Sequence, residues 1–340
     1  MAYKHNGEDV FVVDSHVHLW DASEANWRPD ARVYAEGWIN CFYDYHKNLS
    51  PPEWVWPLPK YQKYSEQDMM KDLFDEGYVD VAIFQPTYLR DWYTKGFNTI
   101  DQDAVLAEKY PERFILNGRW DARDGEAGRK KLREEHKRWG FKGVKLYTAE
   151  WKGDSRGYKL GAPETLRYLD KCVELGIVNI HIHKGPTIWP FNRDAFDVAD
   201  VDEVATLYRD AGLRFIVEHC GIPRIEDFCW IAAQEPNVYG GLAVVMPFIH
   251  ASPHYFAEVM AELMWWLGPD RLLFSSDYAL WSPKWIVDKF MAFDFPEDVK
   301  QSRGLSLSLD DKRKIMGLNA AKLYELNVPS EAGFQVAVPA

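Results

Sequence analysis

The chain has 340 residues, 47% of them hydrophobic and 27% charged, a composition that excludes a disordered protein and predicts a globular one. Its formal net charge is −12, from 40 basic and 52 acidic residues, so we expect neither nucleic acid nor a membrane among its partners. The first ten residues lack the apolar stretch of a signal peptide, and the four cysteines form no Cys-x-x-Cys pair, which predicts reduced thiols and a cytoplasmic location.

The predicted elements begin with a short apolar strand, Val10–Val13, which runs into the motif DSHVHLW at residues 14–20. In a strand, residues i and i+2 face the same side, so His16 and His18 would aim both imidazoles at one place, as a metal site requires. Taken alone, such a pair could equally fill an apolar face or cap a turn.

The segment that follows, residues 20–65, is rich in tryptophan, tyrosine and proline. We interpret it as a long, ordered but irregular insertion after the first strand. Long ordered loops usually serve as lids, binding loops or subunit contacts, and a satellite core over one end of the fold is the alternative.

Strand-like and helix-like segments then alternate to the end of the chain. The predicted strands are Val10–Val13, Val79–Phe84, Phe114–Trp120, Gly140–Tyr147, Ile177–His183, Leu213–Gly221, Asn237–Val245 and Arg271–Tyr278. The predicted helices are Glu66–Glu76, Asp101–Lys109, Glu126–Trp139, Pro163–Leu175, Val201–Ala211, Ile225–Gln234, Pro253–Leu267, Trp285–Phe293 and Asp310–Leu326.

Eight short, β-branched strands, most followed by a helix, indicate a (β/α)8 barrel. A doubly wound open sheet is the alternative, but it would normally show a glycine-rich phosphate loop after its first strand, and this sequence has none there. We predict a single domain over residues 1–340, closed by a helix and tail at about 309–340. The last residues, 329–340, would be a loose end or a subunit arm.

Candidate functional residues lie at the predicted strand ends, where barrels of this kind place their active sites. From the first strand to the eighth, these ends hold His16 and His18, Lys145 and Tyr147, His181 and His183, His219, and Asp277. Neutral imidazoles and carboxylates are good ligands for zinc and similar ions, and a bound metal lowers the pKa of water toward about 7. Histidine has a suitable pKa to move the proton. The set therefore predicts a metal site.

Five motifs in this order, VVDSHVHLWD, GFKGVKLY, HIHKG, EHCG and FSSDY, resemble those of the amidohydrolase superfamily over roughly residues 10–325. The branch most similar to this chain is the amidohydrolase-related group that includes aminocarboxymuconate-semialdehyde decarboxylase. The resemblance implies a distorted (β/α)8 TIM barrel carrying one divalent metal. Zinc is expected, and manganese, iron or cobalt are also compatible with such ligands.

The same resemblance implies roles for individual residues. The implied metal ligands are His16, His18, His183 and Asp277. Asp277 would also accept a proton, and His219 would be the catalytic histidine that orients or deprotonates the metal's water.

Two positions leave alternatives open. His181 shares a strand face with His183, so either could be the fifth-strand ligand; we prefer His183, which is nearer the strand end and precedes lysine and glycine. In binuclear amidohydrolases a carbamylated lysine on the fourth strand bridges two metals, so Lys145 could be such a bridge, with His219 as a ligand of the second ion. An internal ion pair is the simpler interpretation of Lys145.

Five residues at or beyond strand ends are candidates for substrate contact: Trp20, Tyr88, Arg119, Tyr147 and Trp281. Arg119 is the best candidate for a carboxylate clamp, since guanidinium pairs with a carboxylate through two hydrogen bonds. A buried ion pair of Arg119 with Asp121 or a neighbour is equally compatible with the sequence.

Three functions fit these residues. The preferred one is a metal-dependent hydrolase, in which metal-activated water attacks a small organic substrate such as an amide or lactone. The opening motif also resembles lactonases of sugar and dicarboxylate metabolism. The second function is a metal-dependent, non-oxidative decarboxylase of an aromatic or unsaturated acid, and the third is a non-catalytic barrel that acts as a scaffold. We expect a small-molecule substrate and a homodimer or higher homo-oligomer.

Overall fold

The protein is described here by a computed structural model that covers residues 3–329, so the predicted tail beyond Pro329 lies outside the described residues. The strands are β1 (Tyr3–His5), β2 (Glu8–Val10), β3 (Val13–Val17), β4 (Val81–Phe84), β5 (Phe114–Ile115), β6 (Gly143–Leu146), β7 (Asn179–His183), β8 (Arg214–Glu218), β9 (Val238–Gly241) and β10 (Leu272–Leu273). β1 and β2 form an antiparallel hairpin, and the other eight are the strands of the barrel.

The barrel consists of two parallel sheets that meet at both edges. One has the order β3-β4-β5, and the other runs from β6 to β10 in sequence order. A parallel bridge between Gly118 and Val144 joins β5 to β6, and another between Val17 and Tyr278 joins the last strand to the first. At this second seam the Ser15 amide also donates a hydrogen bond to the Phe274 carbonyl, at 3.0 Å. The predicted TIM barrel is therefore confirmed.

The barrel strands are buried along almost their whole length, which explains their apolar, β-branched sequences. In β7, the sequence NIHIH is entirely buried, with its isoleucines and histidines alternating between the two faces. Because side chains alternate between the two faces of a strand, its histidines lie on one face and its isoleucines pack on the other.

The helices surround this barrel. They are α1 (Arg32–Leu49), α2 (Leu58–Gln62), α3 (Glu66–Met70), α4 (Ile100–Lys109), α5 (Gly125–Trp139), α6 (Pro163–Leu175), α7 (Asp200–Leu207), α8 (Ile225–Gln234), α9 (Phe248–Ala251), α10 (Pro253–Leu267), α11 (Pro283–Ala292), α12 (Glu297–Arg303), α13 (Leu309–Arg313) and α14 (Asn319–Tyr324). Single π-helical turns continue α3 over Lys71–Asp75 and connect α13 to α14 over Lys314–Leu318. Over residues 3–329, no helix is long and apolar enough to cross a membrane.

Three predictions need correction. The first barrel strand is Val13–Val17, so the histidine motif lies partly within the strand, and Val10 belongs to the N-terminal hairpin. The strands predicted over Phe114–Trp120 and Arg271–Tyr278 are regular for two residues each, and beyond them single bridges at Gly118 and Tyr278 continue the pairing. The insertion is not irregular throughout, since it contains the 18-residue helix α1.

Candidate metal centre

His16, His18 and Asp277 form a compact buried cluster, with one potential ligand atom from each lying within 4.8 Å of the others. His16 Nε2 and His18 Nε2 are 3.1 Å apart. Asp277 Oδ1 lies 3.6 Å from His16 Nε2 and 3.4 Å from His18 Nε2. Closure of the barrel between its first and last strands brings these residues together. The sequence predicted this convergence for these three of the four implied ligands.

The far sides of both imidazoles face oxygen acceptors. His16 Nδ1 lies 2.9 Å from Glu218 Oε2, and His18 Nδ1 lies 3.1 Å from Asn98 Oδ1. The Asn98 amide nitrogen donates to Asp103 at 2.7 Å, so its oxygen is the atom turned toward His18. These acceptors are compatible with a proton on each Nδ1, which would leave each Nε2 lone pair free to face Asp277.

This donor set fits a divalent metal. Two imidazole nitrogens and a carboxylate oxygen converge here beside the Lys145 amine, and these are donor types that bind divalent metals such as zinc. Burial lowers the pKa of His16 to about 3, so this imidazole is neutral at physiological pH. Burial alone would raise the pKa of Asp277, but the surrounding histidines hold it below its usual range.

His183 and His219 line the same cavity beside this cluster. His219 donates from Nδ1 to the Ala243 carbonyl at 3.0 Å, and its Nε2 lies 2.9 Å from His183 Nδ1. His183 Nε2 is buried and has no partner among the described residues. Burial lowers the pKa of both groups, so both are neutral. His183 is thus near the three-residue cluster without belonging to it.

Lys145 and His181 have distinct surroundings. Lys145 Nζ is 3.2 Å from His16 Nε2, and burial lowers the pKa of this amine to about 8. His181 instead contacts Glu218 Oε1 at 2.5 Å and the Tyr324 hydroxyl at 2.7 Å. Because both nitrogens of His181 are engaged beneath the site, its position does not favour a ligand role.

The cluster opens into a largely enclosed cavity. Four of its lining residues, Trp38, Phe42, Tyr45 and Leu49, recur at helical spacing on one face of α1, so the insertion forms a wall of the cavity. Tyr147 and Trp281 also line it, where the sequence predicted substrate contact. Among the described residues that line this cavity, Lys145 is the only lysine and none is an arginine.

The other three predicted substrate residues do not line the cavity. Arg119 forms a buried ion pair with Glu150 through Nη2, which is the second of the two interpretations that the sequence allowed. Tyr88 packs its ring against Arg119, with 5.1 Å between the guanidinium carbon and the ring centre. Trp20 stacks on Phe97 and donates its indole N–H to the Tyr61 carbonyl at 2.7 Å, behind His18.

The sequence analysis missed Glu218 and Asn98, the two partners that orient the histidines. Glu218 could have been found from the sequence, because it ends an apolar strand. A carboxylate buried at such a position needs a polar partner. Asn98 lies in a loop, where nothing in the sequence marks its contact with His18.

Comparison with known proteins agrees with this geometry. The amidohydrolase family model matches residues 13–326, and the chain belongs to this family. It is a metal-dependent enzyme of the amidohydrolase superfamily, whose members use a divalent metal. No curated protein matches the chain in sequence.

Similar solved structures support the fold. An uncharacterised TIM-barrel protein from Bordetella bronchiseptica has a TM-score of 0.64 and 15% identity, covering 96% of this chain and 100% of its own. A 5-carboxyvanillate decarboxylase from Novosphingobium aromaticivorans, complexed with manganese and a nitrobenzoic acid, has a TM-score of 0.60 and 15% identity, covering 96% and 99%. A Pseudomonas putida protein described provisionally as a 2-pyrone-4,6-dicarboxylic acid hydrolase has a TM-score of 0.57 and 13% identity, covering 94% and 99%.

Proposed function

We propose that this protein is a metal-dependent hydrolase of a compact, largely apolar organic substrate, such as an aromatic ester, lactone or amide. His16, His18 and Asp277 would hold one divalent ion, with zinc as the first candidate because nitrogen-rich ligand sets suit it. His183 is the proposed fourth ligand, since its buried Nε2 has no partner among the described residues. A divalent ion here would supply Lewis acidity, which polarises a carbonyl and makes water a better nucleophile.

The main support for this proposal is that the two carboxylate oxygens of Asp277 face different groups. Oδ1 faces the two Nε2 atoms at 3.4 and 3.6 Å, whereas Oδ2 lies 4.0 Å from His219 Nδ1. One oxygen can therefore serve as a ligand while the other accepts a proton from water and returns it to the leaving group. His219 is held by the Ala243 carbonyl, which fixes its ring beside this carboxylate.

The cavity walls support the proposed substrate class. Trp38, Phe42, Tyr147 and Trp281 provide flat apolar surfaces, which favour a planar or compact hydrophobic molecule. Lys145 is the one lysine on the described lining, so a substrate with two or more carboxylates would lack partners for its charges.

Decarboxylation of an aromatic acid is the second candidate, and the aromatic walls around a single lysine favour it. Such a substrate would place its ring between the walls and its one carboxylate near Lys145. Asp277 would then take up a proton from solvent and deliver it to the ring carbon as the carbon–carboxylate bond breaks and carbon dioxide leaves.

One experiment separates the two reactions. Zinc- or manganese-loaded protein is incubated with a panel of aromatic esters, lactones, amides and hydroxybenzoates in ¹⁸O-labelled water, and in D₂O in a parallel series. Incorporation of ¹⁸O into the product indicates hydrolysis, whereas release of carbon dioxide with deuterium on the ring indicates decarboxylation. Asp277→Asn should abolish either reaction, and a fully active Asp277→Asn protein would contradict both mechanisms.

A further inference from the structure

The segment that follows Asp277 is part of the cavity wall. Leu280 and Trp281 line the cavity, and the Leu280 amide donates to the Asp277 carbonyl at 2.6 Å. Asp277 itself has a φ of 58°, in the left-handed region that residues other than glycine adopt at a cost. Such a conformation persists only when neighbouring structure holds it, so the contacts of residues 278–281 bear on the direction of the Asp277 carboxylate.

Two side chains of the insertion bind consecutive carbonyls of this segment. Tyr64 donates its hydroxyl to the Ala279 carbonyl at 2.8 Å, and His46 donates from Nδ1 to the Leu280 carbonyl at 2.6 Å. Both side chains are buried, so water does not compete with these hydrogen bonds. They connect the aromatic insertion directly to the loop that carries the proposed metal ligand.

The His46 ring is itself held in place. Its Nε2 accepts a hydrogen bond from the Trp56 backbone amide at 2.8 Å, which leaves the proton on Nδ1. The ring is stacked between Trp56 and Tyr61, with ring centres 5.1 and 4.9 Å away. His46 is therefore a rigid donor at a fixed position, and it does not reach the cavity or the metal cluster itself.

We propose that His46 and Tyr64 are positioning residues for Asp277, and that through them the insertion sets the geometry of the metal centre in addition to forming its wall. By fixing the Ala279 and Leu280 carbonyls, they hold the backbone turn that directs the carboxylate toward His16 and His18. The inference rests on the proposed function, because it requires Asp277 to be a metal ligand.

The test measures Zn²⁺ affinity of the full-length apoprotein by competition with a chromogenic chelator. Tyr64→Phe removes one hydroxyl and keeps the ring, and we expect about tenfold weaker Zn²⁺ binding, as for other partners that orient a ligand. Tyr93→Phe is the matched control, since Tyr93 is equally buried and donates to the Ala35 carbonyl of α1, at 2.8 Å, away from this loop. Both variants should lose a similar amount of thermal stability, but only Tyr64→Phe should lose affinity.

A double-mutant cycle distinguishes positioning from a general structural effect. If Tyr64 acts through Asp277, Tyr64→Phe should weaken Zn²⁺ binding no further in an Asp277→Asn background. An equal loss in both backgrounds, or an equal loss in Tyr93→Phe, would overturn the proposal. An Asp277→Asn protein with unchanged affinity would instead remove the ligand assignment on which the proposed function depends.

His46 provides a second variant pair that does not depend on Tyr64. His46→Asn keeps an N–H near the position of Nδ1, whereas His46→Leu has no donor. We expect His46→Asn to retain more Zn²⁺ affinity than His46→Leu, and equal affinities in two folded variants would contradict a positioning role for His46.

Discussion

The two halves of the site differ in how their histidines are held. In the half formed by His16, His18 and Asp277, each imidazole has its Nδ1 facing an oxygen acceptor and its Nε2 facing the carboxylate. In the half formed by His183 and His219, the two imidazoles contact each other at 2.9 Å, and His183 Nε2 has no partner in the described chain.

This difference has a physical origin in the partners that each half receives. Glu218 and Asn98 fix the first pair of histidines before any ligand arrives, so this half is pre-organised. His183 Nδ1 faces a second imidazole, at His219 Nε2, instead of a carboxylate or amide oxygen, so its position is set by its contact with His219. The first half should therefore determine whether a metal binds, and the second half should determine what the bound metal does.

The largest expected difference between the two halves should appear when one histidine is removed from each half. His16→Ala should reduce the metal content from about one ion per chain to nearly none, because it breaks the compact three-residue cluster and leaves His18 and Asp277 with His183, which lies outside that cluster. His183→Ala should retain most of the metal and lose turnover. Elemental analysis of protein purified without chelators measures the first effect, and equal metal loss in both variants would contradict the distinction.

Removing a partner of the pre-organised half should have the next largest effect. Glu218→Gln weakens the acceptor that fixes His16, and we expect metal affinity to fall by roughly 10- to 100-fold. Glu235→Gln is a matched control, because Glu235 is also a buried carboxylate but pairs with Arg209 outside the site. Isothermal titration of both apoproteins with Zn²⁺ makes the comparison, and unchanged affinity in Glu218→Gln would show that His16 needs no such partner.

Asn98 offers a smaller perturbation of the same half. Asn98→Ala removes the acceptor for His18 but leaves the imidazole in place, so we expect about tenfold weaker Zn²⁺ binding. Asn179→Ala removes another buried amide, one that donates to the Leu323 carbonyl, and should leave affinity unchanged. The same chelator competition distinguishes the two variants, and a greater loss in Asn179→Ala would argue against the proposed contact.

The smallest expected effect concerns pH and stability. Burial raises the pKa of Asp103, behind Asn98, well above 3.8. The folded chain then keeps a proton that the unfolded chain releases, so the contribution of Asp103 to the free energy of unfolding is full below pH ~4 and falls as pH rises, by at most about 1.4 kcal/mol per pH unit. Asp103→Asn should remove this slope in urea unfolding between pH ~5 and pH ~8. Parallel profiles for the two proteins would show that Asp103 is ionised when folded.

The sequence predicted the barrel because each strand is a short apolar run bounded by helices, and it placed His16, His18 and Asp277 because strand ends share one rim. It left Arg119 undecided between a carboxylate clamp and a buried ion pair, because the partner Glu150 lies on another loop and the choice depends on loop packing. Likewise α1 was missed because its sequence contains Gly37 and many aromatic residues, which have modest helix propensity. Residue types alone do not indicate which acceptor, Glu218 or Asn98, faces which imidazole.

The seam between Val17 and Tyr278 has a consequence for how the protein is made. The proposed ligands His16 and His18 are synthesised well before Asp277, which follows His18 by 259 residues. A growing chain therefore cannot assemble the full cluster, however much of the barrel has already formed. Metal selection is thus a task for the completed protein, after the last strand has closed against the first.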